Sequence, residues 1–238
     1  MRKKPATMRP QVYRDPRPKE YFDRFHQRVR THQPGVVYNV VRFLVKPFCR
    51  VVFRVKAIDQ EYIPTKGPFI LAPNHFSFMD HFLVAMFSDQ KVSFIAKSQL
   101  FKPLSNPILY NGCAIPVRRG MRDQEMFISA QTVLARLGSL LIYCEGGRSR
   151  SGQLSEKVRP GLGRLALETG VPVIPVAVYG SARIRNWKRL KPPPQVTVQF
   201  GKPLVFPVEH DASRQRQQQV AEEVFAEVRR MYEGLKSS

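Results

Sequence analysis

The chain has 238 residues, 43% of them hydrophobic and 24% charged, a composition that suits one globular domain with a substantial core and excludes a disordered chain. The charge balance is unusual, because 39 Lys and Arg residues face 18 Asp and Glu residues and give a net charge of +21. This surplus indicates a polyanionic partner, either nucleic acid, an anionic membrane surface or a phosphorylated substrate. Three cysteines without paired spacing speak against a disulfide framework or a zinc site and are typical of a reducing cytoplasm.

The first 33 residues are rich in Pro, Arg and Lys and have little hydrophobic periodicity. This composition predicts a basic, flexible arm over residues 1–33. No apolar core or cleavage site follows the first basic residues, so we predict no secretory signal.

The next segment, residues 34–54, is apolar except for four cations spaced four residues apart: Arg42, Lys46, Arg50 and Arg54. In a helix this spacing places the cations on one slowly drifting stripe. A spanning helix would bury several of them, so we predict no transmembrane segment. An ordinary core-packed helix and an amphipathic helix at a membrane interface both remain open. The broad apolar surface and the absence of acids from 36 to 58 favour membrane association, with a kink or division at Pro47.

From residue 55 onward, short β-rich runs alternate with helical patterns. The predicted strands are "FRVKAI", "PFILAP", "VSFIAK", "GCAIPV", "SLLIYCE", "VPVIPVAVY" and "QVTVQFG". Helical patterns follow Asp80 and cover 122–138, 160–169 and 212–235. This alternation predicts a single α/β domain over residues 55–238, with a mixed, largely parallel sheet flanked by helices.

The stretch "PNHFSFMDHF", residues 73–82, places His75 and Asp80 directly after an apolar strand. One interpretation is structural, because Ser77 and Asp80 have the spacing of a capping box at a helix start. The other is chemical. If a helix begins near Ser77, Asp80 can reach back from its first turn to His75, hold its tautomer and support it as a general base. This stretch alone leaves both interpretations open.

Two more predicted strands end in groups suited to anions. "GCAIPVRR" ends in Arg118 and Arg119, and "LLIYCEGGRSRSG" continues into "EGGR" at 145–148. Ligand groups in α/β proteins lie in the loops after strand ends. Glycine allows close approach of the backbone, and arginine presents a planar fork to phosphate oxygens. Taken singly, Arg118 also fits a solvated strand end, and "EGG" also fits a tight turn.

Taken together, "NHFSFMD", "GCAIPVR", "EGGRS" and "VPVIPVAV" resemble the four motif blocks of the glycerophosphate acyltransferase family. The most similar group is the bacterial 1-acylglycerol-3-phosphate acyltransferases of the PlsC type, and the resemblance covers roughly residues 50–205. "FIAKSQLF" matches a further segment, in which the family carries a phosphate-facing lysine, here Lys97. Two positions depart from the family pattern: Gly147 replaces the usual Thr, and His81 replaces the usual Pro.

The resemblance implies acyl transfer from acyl-CoA or acyl carrier protein to the free hydroxyl of 1-acylglycerol-3-phosphate, giving phosphatidic acid. His75 would take the proton as the hydroxyl attacks the thioester, and Asp80 would orient His75 and stabilise its charged form. We expect direct displacement without an acyl-enzyme, because Ser77 is assigned to the helix cap.

The resemblance also implies which groups bind the acceptor. Three cations, Lys97, Arg118 and Arg148, would bind its phosphate. Glu145 would help to place the attacking glycerol hydroxyl. Gly146 would let the backbone approach the substrate closely.

No cofactor is expected beyond the thioester co-substrate, and no metal, because the five histidines are scattered without ligand spacing. The expected partners are the acyl donor, a lysophospholipid acceptor and an anionic membrane surface. Residues 34–54 would seat the enzyme peripherally at the cytoplasmic face of the cell membrane, where anionic lipids attract Arg and Lys.

Three alternatives stay open. One is an acyltransferase for another glycerol-phosphate or lyso-lipid acceptor. A second is a basic nucleic-acid-binding protein, although its cations would be interleaved with aromatic residues on one face, and here they concentrate in the arm, the apolar segment and the strand-end loops. A third is a hydrolase using Ser77 or Ser149, for which the chain lacks a G-x-S-x-G elbow.

Overall fold

The computed structural model describes residues 15–121, 123–149, 151–184 and 194–237. The strands in this part of the chain are β1 (Lys56–Ile58), β2 (Phe69–Pro73), β3 (Val92–Lys97), β4 (Ile115–Val117), β5 (Ser139–Leu141), β6 (Val173–Tyr179) and β7 (Thr197–Phe200). The α-helices are α1 (Glu20–Thr31), α2 (Val36–Val52), α3 (Asp80–Ala85), α4 (Asn106–Asn111), α5 (Gln124–Ala135), α6 (Gly161–Thr169) and α7 (Arg214–Ser237).

The seven strands form one sheet in the order β1-β7-β6-β2-β5-β3-β4. Neighbouring strands are parallel except for β6 and β7, which are antiparallel. The five strands from β6 to β4 therefore run in one direction, and β1 and β7 run in the other. Each predicted strand is present, and the predicted α/β fold with a mixed, largely parallel sheet is confirmed.

The central strand β2 is buried along its whole length and separates two apolar layers. Phe69 and Leu71 pack into the layer that contains residues of α2 and α3. Ile70 and Ala72 pack into the opposite layer, with residues of α5, α6 and α7. A continuous apolar run is typical of a parallel strand covered on both faces. Helices on both faces thus fix β2 and the point at which the chain leaves it.

A flexible arm is expected over residues 1–33, but residues 20–31 form the helix α1. Phe22, Phe25 and Val29 of this helix are each 1% exposed, and the two phenylalanines pack against Phe101 and Ala114. Their spacing places them on one helix face, while the arginines between them lie elsewhere on the helix. The basic composition concealed this short amphipathic pattern. Residues 1–14 of the expected arm lie outside the described residues.

The apolar segment forms one helix, α2, that continues through Pro47 instead of dividing there. Its outward surface, called here the α2 apolar face, consists of six exposed residues: Val36, Val40, Phe43, Leu44, Phe48 and Val51. Arg42 and Lys46 lie half-buried along one flank, where the Arg42 guanidinium donates to the carbonyl of Ser88. Among the helices of the described residues, none combines the length and the apolar character that crossing a membrane requires.

Candidate active site

The candidate residues follow four neighbouring parallel strands. His75 comes after β2, Glu145 after β5, Lys97 ends β3, and Arg118 follows β4. Because β2, β5, β3 and β4 are parallel neighbours, their carboxyl ends open onto the same edge of the sheet. The fold therefore collects residues from four separate stretches of the sequence along one edge.

Asn74 fixes the chain where it leaves β2. This residue is fully buried, and its side-chain amide donates to the carbonyl of Val178 at 3.1 Å. In return, the main-chain N–H of Val178 donates to Asn74 Oδ1 at 2.7 Å. The side chain thus replaces a strand-to-strand pair of hydrogen bonds and holds the start of the His75 loop against β6.

His75 and Asp80 form a hydrogen-bonded pair. The distance from His75 Nδ1 to Asp80 Oδ2 is 2.9 Å, and the same Oδ2 accepts the main-chain N–H groups of Phe76 and Ser77, each at 2.7 Å. The Asp80 side chain is fully buried, whereas that of His75 is 15% exposed. Because a carboxylate only accepts, Nδ1 of the neutral imidazole carries the proton, which leaves Nε2 as the basic nitrogen.

Asp80 makes the contact with His75 that the chemical interpretation requires, whereas the expected capping box is present only in part. The Ser77 hydroxyl accepts the main-chain N–H of Met79 at 3.1 Å and Asp80 accepts the N–H of Ser77, but the N-cap of α3 is Met79 and not Ser77. Regular helix begins only at Asp80, so His75 lies on the incoming loop. In a continuous helix the two side chains would point about 140° apart, so the helix start is what allows them to meet.

Tyr143 covers one face of the His75 ring. The two ring centroids are 3.7 Å apart and the planes differ by 16°, which is a parallel stack. Sequence reasoning missed this residue, because an aromatic side chain shortly after a buried strand is usually part of the core. Its position two residues before Glu145 is the one signal that the sequence offered.

Glu145 lies beside the pair. Its carboxyl group accepts the main-chain N–H of Ser155 at 3.4 Å, and the backbone of His75 lies close enough to lower its pKa. Burial raises the pKa of Glu145 to about 7, and the nearby charge of Asp80 acts in the same direction. The site therefore contains a second carboxyl group that changes its charge near neutral pH.

A cavity of about 300 Å³ adjoins Glu145 and is lined by three arginines, Arg119, Arg148 and Arg159. Its wall is joined to His75, because the main-chain N–H of Ser149 donates to the carbonyl of His75 at 2.8 Å. Guanidinium groups converging on a small cavity can bind an anion through paired hydrogen bonds.

Two glycines allow the arginines to close on this loop. Gly146 has a φ of 63°, and a β-carbon there would lie 2.5 Å from Cγ of Arg159. A β-carbon at Gly147 would lie 3.1 Å from Nη1 of Arg119. A side chain at Gly146 would thus be strained by its backbone and would displace Arg159.

Of the cations predicted to bind phosphate, the structure brings Arg148 to the cavity, and neither Lys97 nor Arg118 lines it. Lys97 is exposed at the end of β3. The Arg118 guanidinium instead donates to the carbonyl of Arg17 at 3.2 Å. Its neighbour Arg119 takes the place expected for Arg118. Sequence reasoning noted this Arg pair but could not tell which member faces the cavity.

Comparison with known proteins gives concordant results. A family model described as Acyltransferase matches residues 54–179, just over half of the chain. A probable 1-acyl-sn-glycerol-3-phosphate acyltransferase of Mycoplasma genitalium is 28% identical over 173 residues, which cover 67% of this chain and 62% of that protein. A chloroplastic 1-acyl-sn-glycerol-3-phosphate acyltransferase of Brassica napus is 29% identical over 128 residues, or 52% of this chain and 37% of that protein. The chain thus matches less than two thirds of the length of either curated relative.

The fold is also that of a solved structure. The crystal structure of the 1-acyl-sn-glycerophosphate (LPA) acyltransferase PlsC from Thermotoga maritima superposes with a TM-score of 0.65 and 24% sequence identity. The superposition covers 92% of this chain and 90% of that chain. The similarity therefore includes the N-terminal helices as well as the sheet.

The raised pKa of Glu145 predicts a pH-dependent cost to stability. Between its ordinary pKa of 4.5 and about 7, the native state holds a proton that the unfolded state releases, so stability falls as pH rises through this window. Glu145→Gln removes the effect, and we expect this variant to gain up to about 3 kcal/mol over the wild type at about pH 8. Below about pH 4 the gain should vanish.

Denaturant unfolding at several pH values measures this difference. Glu223→Gln, at an exposed position of α7, is the matched control and should follow the wild type throughout. Parallel stability curves for Glu145→Gln and the wild type would contradict the assigned direction.

Proposed function

Because the chain belongs to the Acyltransferase family, we propose that it transfers a fatty acyl group from acyl-CoA or acyl carrier protein to the free hydroxyl of 1-acylglycerol-3-phosphate. The product is phosphatidic acid. One observation carries this proposal: the His75–Asp80 pair is joined, through the main-chain N–H of Ser149, to the wall of a cavity lined by three arginines. A base beside an anion site suits an acceptor that carries both a hydroxyl and a phosphate. The names of the curated relatives support the same acceptor.

In this reaction Nε2 of His75 takes the hydroxyl proton as the acceptor oxygen attacks the thioester carbonyl. A carbon–oxygen bond forms, the carbon–sulfur bond breaks, and the leaving thiolate takes the proton from the imidazolium. Asp80 stabilises that imidazolium through Nδ1. The displacement is direct in this proposal, because the Ser77 hydroxyl is hydrogen-bonded in the turn before α3 and burial raises the pKa of the Cys144 thiol well above its ordinary value.

The acceptor phosphate binds between Arg119, Arg148 and Arg159 in this proposal. Each guanidinium can give a charge-assisted bond to a phosphate oxygen, and two of them lie against the glycine pair at 146–147. Glu145 lies between this cavity and His75, where its carboxyl group can bond to a glycerol hydroxyl.

The α2 apolar face supports peripheral binding of the protein to an anionic membrane surface at the cytoplasmic side. Six exposed apolar residues on one helix would enter the interface, while cations along the flank reach the headgroups. Because α2 packs beside α3, which begins at Asp80, this face would bring the active site to the bilayer that holds the acceptor.

The first test is an acyl-transfer assay with one labelled acyl-CoA and a panel of acceptors. We expect lysophosphatidate to be preferred over glycerol-3-phosphate, other lyso-lipids and monoacylglycerol. His75→Ala should lower kcat on the order of 10²–10⁴-fold, and Asp80→Asn should also lose most of the activity, because an amide cannot stabilise the imidazolium. His210→Ala, at an exposed position, is the control. Wild-type rates in His75→Ala would refute the proposed role of this residue.

A second prediction concerns the phosphate. In Arg148→Ala or Arg119→Ala, kcat/KM should fall about tenfold to hundredfold for lysophosphatidate and much less for neutral monoacylglycerol. Arg148→Lys should restore only part of the loss, because an ammonium lacks the planar fork. Arg118→Ala is the matched control, since this side chain is turned towards Arg17. An unchanged ratio between the two acceptors in Arg148→Ala would exclude a phosphate site here.

A third prediction concerns the membrane. The double change Phe43→Ser and Leu44→Ser should weaken binding to anionic vesicles by at least tenfold, because each buried side chain contributes roughly 1.5–3 kcal/mol. Val205→Ser with Val208→Ser is the control, since both valines are exposed but lie outside α2. Vesicle co-sedimentation measures the binding of both double variants. Equal binding by the two would contradict membrane binding through the α2 apolar face.

A further inference from the structure

Tyr143 constrains the catalytic imidazole in a direction that Asp80 does not. The bond from Nδ1 to Asp80 holds one edge of the His75 ring, at 2.9 Å. The parallel stack with Tyr143, at 3.7 Å between centroids, holds the plane of the ring. The two contacts together fix the direction in which Nε2 points, and a general base needs such a fixed orientation.

The two residues that hold His75 each contain a buried polar atom without a partner. Oδ2 of Asp80 accepts three hydrogen bonds, whereas Oδ1 accepts none from the described part of the chain. The hydroxyl of Tyr143 is likewise buried and has no partner among these residues. Buried polar groups are almost always hydrogen-bonded, and an exception calls for an explanation. These two atoms, an acceptor and a potential donor, belong to residues that contact the same imidazole.

The electrostatic environment keeps the phenol in its donor form. Burial, together with the negative charge of Asp80, raises the pKa of Tyr143 well above its ordinary value. The tyrosine is therefore a neutral phenol near a buried carboxylate. Its natural hydrogen-bond acceptor is the free oxygen of that carboxylate.

We infer that Tyr143 is a positioning residue, whose ring holds the plane of His75 and whose hydroxyl is hydrogen-bonded to Asp80 Oδ1 through one water molecule. A donor on Oδ1 spreads the charge of the carboxylate over both oxygens. Asp80 then holds the Nδ1 proton without taking it, and His75 remains the base. The kinetic part of this inference rests on the proposed function, while the hydrogen bond itself does not.

Tyr143→Phe keeps the stacked ring and removes only the oxygen. We expect kcat for acyl transfer to fall about tenfold to hundredfold at an unchanged KM, the loss typical of a hydrogen bond to a charged group. The thermal midpoint should fall by only a few degrees, because one hydrogen bond is lost and the ring stays packed. Unchanged kcat would overturn the inference, and so would a fall in the thermal midpoint large enough to account for the lost activity.

A second measurement needs no substrate. The Nδ1 proton of His75 should give a low-field NMR resonance, assigned by its loss in His75→Ala. In Tyr143→Phe this resonance should move to lower field, because Oδ2 becomes a stronger acceptor when Oδ1 loses its donor. An unmoved resonance would overturn the inference whichever acceptor the enzyme uses. Conversely, a shifted resonance in a protein that transfers no acyl group would refute the proposed function alone.

Tyr232→Phe is the matched control for both measurements. Tyr232 is also largely buried, and burial raises its pKa to about 12. Its ring packs against Phe76, with centroids 5.6 Å apart, one residue away from the base. Removal of this hydroxyl should leave both kcat and the His75 resonance unchanged. An equal effect in the two variants would show a general response to the loss of a buried phenol and would overturn the inference.

Discussion

One buried oxygen atom, Oδ2 of Asp80, connects the fold of this protein to its chemistry. A carboxylate without exposure to water is costly unless donors surround it, and here three N–H groups do so. Two of the donors come from the backbone that leads into α3, so the helix can begin only if the carboxylate occupies this position. The third donor is the imidazole. The carboxylate that bonds to the turn before the helix therefore also holds one edge of the His75 ring.

The sheet supplies the remaining groups by its direction. Since β2, β5, β3 and β4 are parallel, the loops that follow them open on one edge, and residues about 70 positions apart in the sequence become neighbours. Asn74 joins this arrangement to β6, where the parallel part of the sheet ends. The antiparallel β7 then returns the chain and pairs with β1. The edge that holds the candidate residues is thus formed by β2, β5, β3 and β4.

The strands and the contact between His75 and Asp80 were predictable from the sequence, because continuous apolar runs indicate buried parallel strands and a helix start explains the spacing of the two residues. Other features were not. The choice between Arg118 and Arg119 depends on the exact turn at the end of β4, since adjacent side chains point to opposite sides. The apolar stripe of α1 is short and lies among cations, which hid it. Tyr143 has the residue type and position of an ordinary core aromatic, and only its contact with His75 gives it a different meaning.

The main chain of His75 is joined to the loop that follows β5. Its carbonyl accepts the N–H of Ser149, and the Glu145 carboxyl group lies beside its backbone. The position of His75 is therefore tied to the wall of the arginine-lined cavity. In the proposed reaction, this connection fixes the distance between the site that binds the phosphate and the position of the oxygen that is acylated. Acceptors are then selected by the number of covalent bonds between their phosphate and their reacting hydroxyl. The geometry of this one loop therefore also determines which hydroxyl is acylated.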